Sequence, residues 1–121
     1  MTPFHLYLYG PKRGPIESSF EDAELRLKQL PMLHFEPDGS FVWTRESGKQ
    51  QIFGMVYDAA GKIQYCDLRG CCKYQTWKLL CAAIAGEGVE EFEVMVLPDQ
   101  QLQDLQTFEA KLWPGHPSSS C

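Results

Sequence analysis

Apolar and polar positions alternate with period two over residues 4–9. Phe4, Leu6 and Leu8 oppose His5, Tyr7 and Tyr9, which predicts a half-buried strand whose second face is aromatic. The loop Gly10-Pro11-Lys12-Arg13-Gly14-Pro15 ends it, since two prolines prevent a regular ladder. The period then becomes helical: Phe20, Ala23, Leu27 and Leu30 fall on one stripe, Ser18 and Glu21 stand in the arrangement of a capping box, and Pro31 marks the stop.

From Leu33 to Arg69 the pattern reads as four short strands separated by turns. Pro37-Asp38-Gly39-Ser40, Glu46-Ser47-Gly48-Lys49 and Asp58-Ala59-Ala60-Gly61 supply the reversals. Gln51–Tyr57 places Ile52, Gly54 and Val56 on one face and Phe53, Met55 and Tyr57 on the other. Both sets are largely apolar, as expected of a central strand. In the last strand Ile63 and Tyr65 alternate against Gln64 and Cys66.

A second helix is expected between Gly70 and Gly86, with Tyr74, Trp77, Leu80, Cys81 and Ile84 inward. Glu91–Leu97 alternates again and predicts a strand. Asp99 reads as the cap of a third helix carrying Leu102, Leu105, Phe108 and Leu112. The order is strand, helix, four-strand meander, helix, strand, helix. It predicts an α+β fold with a largely antiparallel sheet and helices mainly on one face. Residues 1–113 make one domain, and 114–121, without apolar periodicity, read as a flexible tail with a terminal thiol at Cys121.

A chain of 121 residues can bury roughly two-thirds of its unfolded surface, so its core needs no staples. The net charge of -5 disfavours nucleic acid, whose backbone is bound by clustered Lys and Arg. No apolar run reaches the roughly 20 residues of a membrane helix, and the N-terminus lacks a signal-peptide pattern. A cytoplasmic location and free thiols are therefore expected for the five cysteines.

Three sites compete. Cys71 and Cys72, with Cys66 nearby, sit where the strand gives way to the expected second helix. The dipole there, helped by Lys73, lowers a thiol pKa and suits a redox or nucleophilic cysteine. The opposing reading is small core cysteines, because no C-x-x-C is present. Arg69, Gly70 and Lys73 could instead hold an anion at the same helix start, although the glycine spacing of a phosphate loop is absent. The third candidate is the sheet face left open by the helices, built from His5, Tyr7, Tyr9, Phe53, Met55 and Tyr57, as an interface for a homodimer or a protein partner.

No metal is expected, since the cysteines lack paired zinc spacing and His5, His34 and His116 are scattered. No cofactor motif, Ser-His-Asp order or paired-carboxylate motif is visible, so the reading leans away from an enzyme. The first reading is a small binding or self-association module that uses the open sheet face. The thiol protein and the anion binder stand as alternatives.

Overall fold

The computed structural model describes residues 1–115; from residue 116 onward the expected tail, with His116 and Cys121, lies outside the described residues. Among the described residues, seven strands form one antiparallel sheet accompanied by three helices. The strands are β1 (Phe4–Tyr9), β2 (Leu33–Phe35), β3 (Ser40–Arg45), β4 (Gln50–Ala59), β5 (Lys62–Cys71), β6 (Glu93–Val96) and β7 (Gln101–Asp104). The helices are α1 (Phe20–Lys28), α2 (Tyr74–Ala85) and α3 (Leu105–Leu112). The spatial order is β2-β3-β4-β5-β1-β6-β7. The expected meander is present as β2 to β5, and β1 closes against its last strand. An α+β fold results.

The core lies between the helices and one sheet face. Phe4, Leu6 and Leu8 of β1, Ile52 and Val56 of β4, and Cys66 and Leu68 of β5 are buried with Leu27 of α1, Trp77, Leu80 and Ile84 of α2, and Phe108 of α3. Phe4 meets Trp77 edge to face at 5.3 Å between ring centroids, and Phe108 lies 5.5 Å from Trp77. Each indole in this layer finds an acceptor, as buried N–H groups require: Trp43 donates to the Pro31 carbonyl, Trp77 to the Glu109 carboxylate and Trp113 to the Cys72 carbonyl, each at 2.9 Å.

Both ends of α2 are tied to other elements. At its start the Gln50 amide oxygen accepts from the Lys73 backbone N–H at 2.8 Å and from the Thr76 hydroxyl at 2.6 Å. At its end the Arg26 guanidinium donates to the carbonyls of Ala83 (2.8 Å) and Ile84 (3.0 Å). A cation at a helix C-terminus satisfies orphan carbonyls and complements the dipole.

Several boundaries differ from the sequence reading for local reasons. Ser19, not Ser18, caps α1 by accepting from the Asp22 N–H at 3.1 Å. Gly70 does not open a helix. It belongs to β5 with φ 155°, in a conformation L side chains rarely adopt, and a Cβ there would strike the Gln51 carbonyl oxygen on β4. Helix α2 begins only at Tyr74. The stretch expected to start the third helix at Asp99 is strand β7, paired with β6 from Glu93↔Asp104 to Val96↔Gln101, and the helix starts at Leu105 with Asp104 as its cap. Pairing with β7 gives the second edge of β6 the partners that a helix would have left missing. A register shift between Tyr57 and Asp58 sets Tyr57 opposite Tyr65 but Asp58 opposite Ile63. The extra residue, Gln64, makes a bulge, so Ile63 points into the core and Tyr65 to the other face. Among the described residues no helix is long and apolar enough to cross a membrane.

Candidate functional site: the open face of the sheet

The face away from the helices is assembled by strand register. In one row Phe53 of β4, Arg69 of β5 and His5 of β1 stand side by side. The next row is Met55, Asp67 and Tyr7, continued by Met95 of β6 and Leu102 of β7. Beyond it Tyr57 faces Tyr65, with Tyr9 alongside. All six side chains expected from the sequence as an interface, His5, Tyr7, Tyr9, Phe53, Met55 and Tyr57, are thus gathered on one face. Phe53 is 44%, Tyr57 40% and Leu102 45% exposed, whereas Ile52 and Val56 of β4, Cys66 and Leu68 of β5, and Leu6 and Leu8 of β1, on the opposite face, are buried.

Tyr65 is the hub. Its ring stacks on Tyr57 at 4.7 Å, and Tyr7 and Tyr9 lie 5.1 and 5.6 Å away. Partial burial, and then the neighbouring hydroxyls of Tyr57, Tyr7 and Tyr9, raise the Tyr65 pKa above the ordinary phenol value. The cluster presents flat apolar rings with polar tips.

The charged groups of the face sit beside the tyrosines. His5 Nε2 and Asp67 Oδ1 are 3.0 Å apart. The Arg69 guanidinium lies 5.7 Å over the Phe53 ring. Together with Met55 and Gly54 these side chains line a shallow depression of about 210 Å³. A depression of this size suits the tip of one inserted side chain better than a drug-sized ligand, whose pockets hold roughly 300 to 1,000 Å³.

The other two candidates are placed differently from expectation. Cys71 ends β5, and Cys66 and Cys72 are buried. Burial pushes the Cys66 thiol up to about 12, with Asp67 adding to it, and pushes Cys72 up to about 12, with Cys71 adding. Desolvation of the thiolate outweighs any helix dipole here, because the helix begins beyond these residues and Gln50 takes the leading amide. Burial thus disfavours the thiolate at Cys66 and Cys72, while Cys71 is only half-buried. The three residues expected to hold an anion are placed apart. Arg69 points to the open face over Phe53, Gly70 is inside the strand, and Lys73 pairs with Glu46 at 2.8 Å, a hydrogen bond that holds the Glu46 carboxyl below its ordinary pKa. Arg69 and Lys73 do not converge.

Four members of the face were not singled out in the sequence: Tyr65, Asp67, Met95 and Leu102. Met95 carries a readable signal, since it alternates with buried Val94 in the strand expected there. Tyr65 shares the face of Asp67 and Arg69 by ordinary alternation, and the bulge at Gln64 masks this by turning Ile63, two residues earlier, into the core. Compared with protein families, with curated proteins and with solved structures, the chain matches none.

Proposed function

We propose that the chain is a non-enzymatic protein-binding module whose docking surface is the open face of its sheet. One observation carries this reading: half-exposed Tyr, Phe and Met side chains flank Asp67 and Arg69 across β4, β5 and β1, where a sheet that meets only water usually carries polar residues throughout. Tyr, Phe, Met and Arg are the residue types enriched in the cores of protein interfaces. Rings already stacked on one another around Tyr65 lose little freedom on docking, which lowers the entropy cost of association. A cytoplasmic location fits this reading, and the free thiols of Cys66, Cys71, Cys72 and Cys81 support a reducing compartment.

The test is a photo-crosslinking amino acid placed at Tyr57, and as a control at Gln29 on the helical side, in cells that naturally contain the chain. A discrete covalent adduct from position 57 and none from position 29 is expected. Equal adducts from both positions, or none from position 57, would overturn the docking face.

A further inference from the structure

We infer that the occupant of the open face is a second copy of this chain, related by a two-fold axis that runs across the strands at the level of Leu68. The inference rests on the docking-face reading and names its partner. Strand β5 is central in the sheet, and its outward side chains Asp67 and Arg69 have opposite charge one pleat apart. A face-to-face pair of identical sheets can be aligned about an axis along the strands or an axis across them. The first sets Asp67 against Asp67 and Arg69 against Arg69. The second sets Arg69 of each copy against Asp67 of the other, twice. Juxtaposed like charges cost several kcal/mol, so the charges select the axis across the strands.

The neighbours agree with that choice. Rotation about the level of Leu68 exchanges the row Phe53-Arg69-His5 with the row Met55-Asp67-Tyr7, so Phe53 meets Met55 and His5 meets Tyr7. It also lays Tyr65 and Tyr57 over Cys71 and Gln51, which pair across β4 and β5 at the opposite end of the face. Large rings then cover smaller side chains. Aligned sheets pack at about 30°, so register is kept best near the axis, where the charged pairs lie.

The area is adequate. Seven strands about 4.8 Å apart, each offering about six residues at about 3.3 Å, give a footprint on the order of 600 Å² per copy. A standard interface removes about 800 Å² of accessible surface per partner, and the accessible surface of a side-chain relief exceeds its flat footprint.

Light scattering of the reduced full chain tests this, with Asp67→Arg, Arg69→Asp and the double exchange D67R/R69D beside it. The expected result is a two-chain mass for the wild type, at least about tenfold weaker association for either single reversal, and recovery in the double exchange. A monomeric wild type overturns the inference. So does a dimer that tolerates the single reversals, or a double exchange that fails to recover while circular dichroism shows all variants folded. Thermal unfolding of the double exchange keeps the test decisive if a single variant misfolds. If the wild type is monomeric while the crosslinker at position 57 captures a different protein, the docking face stands and self-association falls.

Discussion

The two faces of the sheet come from the same strands and treat polar groups in opposite ways. On the covered face the few polar side chains are drawn into fixed contacts, although Glu109 Oε1 is buried without a hydrogen-bond partner among the described residues. Gln50 holds the start of α2, and Glu109, fully buried, accepts from the Trp77 indole at 2.9 Å and from Lys78 at 3.2 Å. On the open face His5, Asp67 and Arg69 lie between half-exposed rings, and only His5 and Asp67 are hydrogen-bonded to each other. The covered face spends its chemistry on fixing one fold, while the open one keeps rings and charges available without leaving any fully desolvated.

That contrast breaks first, if it is wrong, at Trp77. Trp77→Ala empties a fully buried site and removes a donor from a buried carboxylate, so a loss of about 3 to 5 kcal/mol in urea unfolding is expected. Gln50→Ala is expected to cost about 1 to 3 kcal/mol in the same assay, because the Lys73 N–H and the Thr76 hydroxyl lose their acceptor.

The buried thiols sharpen the comparison through pH. Cys66 and Cys72 have folded-state values of about 12, above the ordinary thiol value near 9. Between these limits the unfolded chain has released protons that the folded chain retains. The stability contributed by a neutral buried thiol is therefore complete below about pH 9 and declines by about 1.4 kcal/mol per pH unit per thiol as pH rises toward 12. Cys72→Ala should make the alkaline slope of stability shallower by about that amount. An unchanged slope would place the Cys72 thiol in contact with solvent and dissolve the distinction between the faces at that point.

The smallest effect is expected on the open face. Tyr57→Ser removes a 40% exposed ring stacked on Tyr65 and should cost about 0.5 to 1 kcal/mol of monomer stability. A loss of 3 kcal/mol or more would mean that Tyr57 serves the fold and not a partner.

Much of this arrangement was legible in the chain. Phe53, Met55 and Tyr57 are separated from Ile52 and Val56 by simple alternation, and His5, Tyr7 and Tyr9 from their neighbours in the same way. Which of two apolar sets faces the helices is not written in alternation, since both satisfy it equally. Residues 101–104 show the same limit in a different form: Leu102 and Leu105 keep helical spacing, yet the hydrogen-bonding needs of the β6 edge make Gln101–Asp104 a strand. The thiol and anion readings met a related limit. They depended on a helix starting at Gly70, and close approach of β4 keeps Gly70 in the sheet.

By itself, then, the sequence determined the α+β class, the hairpins of the meander and the presence of an aromatic strand face, because turn chemistry and side-chain period are local properties. Only the tertiary structure decided that β1 lies beside β5, that the bulge at Gln64 turns Ile63 into the core and away from the face of Tyr65, and that Asp67 and Arg69 stand between rows of rings from neighbouring strands. These features arise from pairing between residues as far apart as His5 and Arg69, and no local pattern encodes which distant strand will satisfy an open edge.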